Sequence, residues 1–536
     1  MGHCARRAVV FVCAGLVLAC VGVRAAEAAT LKVCPSGCAF SQIAPAVAAA
    51  SPGDTIQVAA ETYDGGFTID KSLQLVGAGA GSTIIKGGGP VITIGTFDAA
   101  SEPTVSISGV TITGGVTHNS FVEVFVGPNV IARGGGIEVP PGENFSPGAT
   151  VSIKNSVVTG NRVAPTAAID STLPCPPDIT ITCINGDLPF ALAAGGGIDN
   201  WGTMTLTSTT VSNNQVEGSV ASDADGGGIS TGGSLTLVGS RVSGNDARVT
   251  GPNARFAENG GVIAFGGVLT VSNSSVTDNR ATIATAMPSD IPDGTAAVAG
   301  GIHVAGGVQA ATISNTTITT NSATETNSLG DATAFSGGLH TDIDVTVSND
   351  VIANNHVSSS AGSSGHADGS AGGGEFSGSF TNIRLTGNTV DSSSAAGSAS
   401  GEGGGTHFDG GTITNSLVSD NHVQVSSPGE VAARGGGVDA AVGATLRNTR
   451  VRGNTVHATG ASGTVRGGGV FDAAFPDGPD GAPGGPLVLQ NSTLTGNTLT
   501  GSGLIVHGGG LYLENEPLTF LNSVIANNSP DQCFGC

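Results

Sequence analysis

A chain of 536 residues with 87 glycines but only 18 Phe, 2 Tyr and one Trp has too few large side chains to fill an ordinary globular core. Charged residues make up just 11%, yet mean hydropathy is slightly positive and β-branched residues are plentiful, which excludes wholesale disorder. The net charge of −22, with all four lysines (Lys32, Lys71, Lys86, Lys154) in the first third, argues against nucleic acid as a partner.

Residues 1–28 read as an export signal. Arg6 and Arg7 precede an apolar stretch, Ala8 to Val23, shorter than a membrane span, and Ala26-Glu27-Ala28 offers a cleavage site. The alternative is a lipid anchor at Cys20, in Val17-Leu18-Ala19-Cys20. No later apolar run is long enough to cross a membrane, so no transmembrane segment is expected once the signal is removed, and the location expected is secreted or cell surface. Six cysteines then remain, in the local pairs Cys34/Cys38, Cys175/Cys183 and Cys533/Cys536; an even count in an exported chain reads as disulfides.

Residues 29–53 read as an N-terminal cap, with an Ala-rich helix over Phe40–Ala50, N-capped by Ser41, lying over the open end of a stack of strands. Residues 54–133 carry short, irregular strands such as Thr55-Ile56-Gln57-Val58 and Phe67-Thr68-Ile69. From 134 to 528 the chain repeats at intervals of roughly 33 residues. Each copy opens on a glycine cluster and an apolar residue, as in Gly134-Gly135-Gly136-Ile137; Glu375 and Thr406 break the apolar rule. Each then reaches an asparagine: Asn161, Asn214, Asn245, Asn279, Asn321, Asn355, Asn388, Asn421, Asn454, Asn497 and Asn528.

Three residues before every such Asn stands an aliphatic residue (Val158, Val211, and so on to Ile525), and eight before stands an apolar one (Ile153, Leu206, to Phe520). The odd interval means two short strands separated by a corner, and the glycine segment supplies a third strand. Stacked coils place equivalent positions about 4.8 Å apart, so the Asn column predicts an inward ladder of side-chain amides satisfying buried turn backbone. The fold expected is all-β, a parallel β-helix solenoid with variable loops leaving one corner. Those loops are read in the Ser-, Ala- and Gly-rich segments after each Asn, such as Ser358–Ala371 and Ser392–Gly403. The longest, Val163–Ala194, holds Cys175 and Cys183; a second insertion is Asp472–Pro486, and residues 529–536 form a tail that blunts the far end.

These motifs resemble the right-handed parallel β-helix proteins of the pectin-lyase-like superfamily, and within it the repeats of chlamydial polymorphic outer-membrane proteins and related bacterial exported proteins. Gly195-Gly196-Gly197-Ile198 matches the family's Gly-Gly-x-Ile segment, and Val211-x-x-Asn214 its Phe-x-x-Asn tetrad. The resemblance implies a right-handed coil. It implies no barrel anchor, because no closing set of amphipathic strands follows Asn528. Enzymes of the superfamily cut acidic polysaccharides, some with Asn-Thr-Asp, Asp-Asp and Gly-His-Gly signatures, none of which occurs here. Others use Ca²⁺ beside a basic residue; Arg450 and Arg452 share an outer face but lack an adjacent acid cluster. No cofactor is therefore assigned, with Ca²⁺ as the alternative.

One outward strip concentrates polar chemistry. The position after the Gly-Gly-x-apolar element reads His303, His340, Phe376, His407 and Asp439 up successive coils, with Asp342 and Asp409 two residues beyond their histidines. Histidines beside carboxylates suit sugar binding, metal binding or proton transfer, and equally a plain polar face. His340 and His407 lie two coils, about 9.6 Å, apart, too far to share one ion. No catalytic residue and no metal ligand set is assigned. The function expected is a non-catalytic secreted or cell-surface protein for adhesion or glycan binding; the alternative is a polysaccharide lyase or glycoside hydrolase of the pectin-lyase-like type.

Overall fold

The computed structural model describes residues 28–118, 121–123, 129–165, 191–218, 222–251, 254–288, 295–363, 365–440, 443–473, 485–514 and 516–536. The signal, Cys20 and the Cys175/Cys183 pair lie outside them. No helix of the described residues is long and apolar enough to cross a membrane.

One coil shows the plan. Five strands follow in order: Ile198–Asn200, Thr203–Thr207, Thr210–Ser212, Gln215–Gly218 and Ser222–Asp225. Each pairs in parallel with its counterpart one coil on, through Ile198↔Ile229, Thr203↔Ser234, Thr210↔Arg241, Gln215↔Asp246 and Ser222↔Ala254. The first two strands contribute to a 27-stranded sheet, and the third, fourth and fifth to sheets of 14, 11 and 12 strands. Every pairing among the described residues is parallel except Phe121–Glu123 with Asn129–Arg133. The molecule is a parallel β-helix.

Each full coil has two lobes. The first three strands enclose a core of Ile, Leu and Val, including Ile153, Leu206, Val211 and Ile313, each fully buried. The fourth and fifth strands face one another across a separate core of Ala and Val. Their α-carbons approach within 8 Å, closer than the roughly 10 Å of ordinary packed sheets, so only small side chains fit. That crowding explains the main departure from expectation. Ser358–Ala371 and Ser392–Gly403 are not loops: they hold the strands His356–Ala361, Ala367–Ser370, Thr389–Ser394 and Ala399–Glu402. The longest insertion falls between two such strands, Arg162–Val163 and Ala191–Ala194. The second falls between the first and second strands of its coil, Val470–Ala473 and Leu487–Gln490; residues 166–190 and 474–484 lie outside the described residues.

The asparagines hold the waist between the lobes. Asn245 Nδ2 donates to Val211 O at 3.1 Å and to Asn279 Oδ1 at 2.9 Å, and the same pattern runs from Asn161 to Asn497. The glycines opposite are needed for closeness: a Cβ on Gly197 would stand 2.8 Å from Asn214 Nδ2. At the end of the ladder Gln532 substitutes for a further Asn, its Oε1 accepting from Asn528 N at 3.0 Å. The tail strand Cys533–Phe534 then pairs with Leu511 and Tyr512.

A second ladder, unforeseen from the sequence, lies five residues before most of the Asn residues and is interrupted by Asp350 and Ile383. Ser240 Oγ accepts from Thr209 N at 3.2 Å and donates to Leu206 O at 3.1 Å, and Thr209, Thr449 and Ser492 make the same donor bond in their coils. The N-terminal helix spans Ile43–Ala49 and seats Ile43, Ala46 and Val47 on the core. Its N-cap is Gln42 rather than Ser41, and Gln42 makes no side-chain capping bond because its Oε1 accepts from Asp64 N at 3.2 Å instead. Cys34–Cys38 and Cys533–Cys536 are disulfide-bonded.

Candidate functional site

Between the fifth strand of one coil and the first strand of the next, the chain turns through a positive-φ residue, a glycine such as Gly226 (φ +61°) in most coils but Asn259, Ala299, Ser336 and Ala371 in four successive ones. The turn folds the outer faces of these two strands toward each other. Side chains that point away from the core therefore end up in a concave groove, and most of its floor is buried: Asp199 is 1% exposed, His303 6%, His340 7% and Asp439 0%. The expected polar strip is this floor, not a solvated face.

The register corrects one member of the strip. Glu375, not Phe376, pairs with His340 on one side and His407 on the other. Gly374 takes the inward place that Leu339 holds in the preceding coil, and Phe376 points into the core, stacked on Phe380 with ring centroids 4.7 Å apart. The small residues Gly374 and Thr406 make room for Phe376 and Phe408, which is why the apolar rule breaks at these two coils.

The remaining strip residues fall into two clusters. His303, His340 and Asp342 form the first: Asp342 Oδ1 lies 2.9 Å from His340 Nε2 and Oδ2 lies 3.6 Å from His303 Nε2. Glu258 and Glu375 flank it, 3.9 Å from His303 Nδ1 and 3.5 Å from His340 Nδ1. Asp342 is held well below the usual carboxylate range by the two imidazoles. Burial pulls His303 down to about 4. Burial also acts to lower His340, but Asp342 and Glu375 outweigh it and raise it. Glu375 is pushed up, chiefly by burial.

The second cluster is His407 with Glu402, Asp409 and Asp439, at 3.6, 3.3 and 3.6 Å. Arg434 completes it, with Nε 2.9 Å from Asp439 and a close ion pair to Glu402. Burial opposes ionisation of His407 and Asp439. It is overcome by Asp409 and Asp439 around the imidazole, which is raised well above its ordinary value, and by Arg434 and His407 around Asp439, which is lowered. The histidine is thus held protonated in a closed ion network.

The groove continues beyond the strip. Toward the N-terminus it opens into a cleft of about 530 Å³ lined by Phe97, Arg133, Glu138 and Asp199. Burial pushes Glu138 up to about 7 and Asp199 to about 6. Arg133 lies over Trp201, 4.8 Å from the ring. Toward the C-terminus Phe471, Tyr512 and Phe534 stack at 5.3 and 5.0 Å, with Arg434 and Arg466 over the first two rings. Arg133, Glu258, Phe335, Glu402, Arg434 and Arg466 all close their fifth strands or stand beside the glycine turn. They were missed with that strand, although a charged or aromatic residue recurs just before the glycine cluster.

No protein-family model matches this chain, and no curated protein matches it in sequence. Among solved structures it is similar to the A-module of the Azotobacter vinelandii mannuronan C-5 epimerase AlgE6, with 13% identity, TM-score 0.27, and coverage of 91% of this chain and 94% of that one. It is also similar to the receptor-binding tailspike of bacteriophage Det7, with 12% identity, TM-score 0.24, and coverage of 93% and 76%.

Proposed function

We propose that this is an exported, surface-acting β-helix whose groove holds an extended glycan without cleaving it. One observation carries the reading: the floor of a single groove runs coil by coil through Glu138, Asp199, Ser230, Ile263, His303, His340, Glu375, His407 and Asp439 to Phe471 and Tyr512, so a stretch rich in carboxylates and imidazoles leads to aromatic rings at one end. Aromatic faces stack on sugar C–H groups while carboxylates accept from hydroxyls. The acidic lining favours a neutral or cationic polymer over a polyanion. Export is supported by the signal-like residues 1–28 and by the two disulfides, which persist in oxidising compartments. The repeat motif carries the likeness to pectin-lyase-like proteins and to the chlamydial outer-membrane repeats.

A second reading, a lyase or glycoside hydrolase, is favoured by the acids beside His340. Asp342 is held ionised while Glu375 is pushed up, and carboxyls driven apart in this way suit acid and base roles.

The test is retention of the purified protein on neutral, cationic and anionic polysaccharides, with and without Ca²⁺, alongside assay of reducing ends and unsaturated sugars. Retention without product, weakened about tenfold by Trp201→Ala or Phe335→Ala, supports a binding groove. Product release favours the second reading, and retention on no polymer overturns both.

A further inference from the structure

The geometry points to a binding site for a first-row divalent transition metal of the Zn²⁺ class, formed by His303 Nε2, His340 Nε2 and the carboxylate of Asp342. His303 and His340 occupy matched positions on adjacent parallel strands, and their rings meet edge to face with centroids 4.6 Å apart. Both Nε2 atoms face the same carboxylate, at 3.6 and 2.9 Å. Ligands held at 2.0–2.1 Å around an octahedral or tetrahedral ion stand about 2.8–3.4 Å from one another, and the three ligand atoms here lie within 4.8 Å, so side-chain rotation would admit the ion. Gly306 N donates to Asp342 Oδ2 at 3.1 Å and fixes the carboxylate between the rings.

A second, independent observation points to a missing partner. His303 is only 6% exposed, yet no group comes within hydrogen-bond distance of either ring nitrogen, the nearest carboxylates standing off at 3.6 and 3.9 Å. A buried imidazole left in this state is costly, and an ion accepting the Nε2 lone pair removes the cost at that atom. The outer nitrogens are arranged as ligating histidines require. Ser336 Oγ is hydrogen-bonded to His340 Nδ1 at 2.9 Å, so a proton carried on Nδ1 leaves the Nε2 lone pair, facing Asp342, for the ion, and Glu375 and Glu258 approach the two Nδ1 atoms from outside. Two imidazoles and one carboxylate select a borderline metal over Ca²⁺ or Mg²⁺. The Asp342 side chain is 42% exposed, so the remaining coordination position opens to the groove.

The cluster of Glu402, His407 and Asp439 is a useful contrast. Its ligand atoms also converge, but Arg434 already supplies the cation between Glu402 and Asp439.

The experiment is calorimetric titration of ZnCl₂ into the purified, chelator-treated protein, with CoCl₂ titration followed by visible absorption. One ion per chain is expected. His340→Gln should weaken binding about 100-fold and Asp342→Asn about tenfold, while His407→Gln leaves it unchanged. Asp342→Asn alters an accessible carboxyl, and circular dichroism verifies that this variant stays folded. The proposal is overturned by wild-type binding weaker than about millimolar, by Asp342→Asn and His340→Gln binding as tightly as wild type, or by loss confined to His407→Gln.

Discussion

The side-chain oxygen of Asn388 accepts two hydrogen bonds from Asn355, one from its backbone nitrogen and one from Nδ2, both at 3.0 Å. The same Nδ2 donates to Ile318 O at 3.0 Å, so one side chain ties together three successive coils.

Replacing Asn355 with Ala therefore strands more than one group. Asn321 loses the acceptor for both its backbone nitrogen and its Nδ2, and Ile318 loses its donor, all in a region with no exposure. At about 1–3 kcal/mol for each buried orphan, a loss of about 3–5 kcal/mol is expected in urea unfolding. Asn528→Ala, at the partly open end of the ladder, is expected to cost less. Equal losses at both sites would mean that the ladder does not act through burial.

Restoring the repeat consensus at Gly374 is expected to harm the protein. A Cβ there would stand 2.3 Å from Phe376 Cε1 and 2.0 Å from Leu339 O. Gly374→Leu, although it copies the preceding coil, should destabilise by about 1–3 kcal/mol through overpacking. The double variant Gly374→Leu/Phe376→Ala should recover part of that loss. Additive effects in the double-mutant cycle would show that the two positions do not share one space.

Glu325 sits wholly inside the small-residue lobe, between Ile283 and Ser359 of the neighbouring coils. Burial pushes its carboxyl up to about 8, opposed by a hydrogen bond from Thr295. The folded chain keeps this proton to about pH 8, whereas the unfolded chain releases it near the ordinary 4.5, so this group makes stability fall as pH rises between those values. Glu325→Gln stays neutral throughout. It is expected to gain on wild type by about 5 kcal/mol at about pH 9 and to show little pH-linked difference at about pH 4. A stability difference that is flat across this range would show that Glu325 is not held protonated.

Much of the fold was legible because a β-helix repeats its chemistry at fixed intervals. A ladder that bonds Asn245 to Asn279 demands the same residue in each coil, so the Asn column and the aliphatic residues three and eight positions before it stand out unaided. The fourth and fifth strands did not stand out. Their facing sheets are too close for large side chains, and a strand built from Ala, Ser and Gly has the composition of a loop.

The candidate site divides along the same line. The sequence alone determined that His303, His340 and His407 lie on one strip with Asp342 and Asp409 beside them, since strand alternation and coil stacking follow from spacing. Only the tertiary structure decided that Glu375 replaces Phe376 on that strip, because the choice depended on which side chain the core could hold. It also brought Glu258, Glu402 and Arg434 against the histidines. Those residues belong to a different strand, and the positive-φ turn at the glycine cluster sets the angle at which the two outer faces meet, a relation between strands that spacing along the chain does not encode.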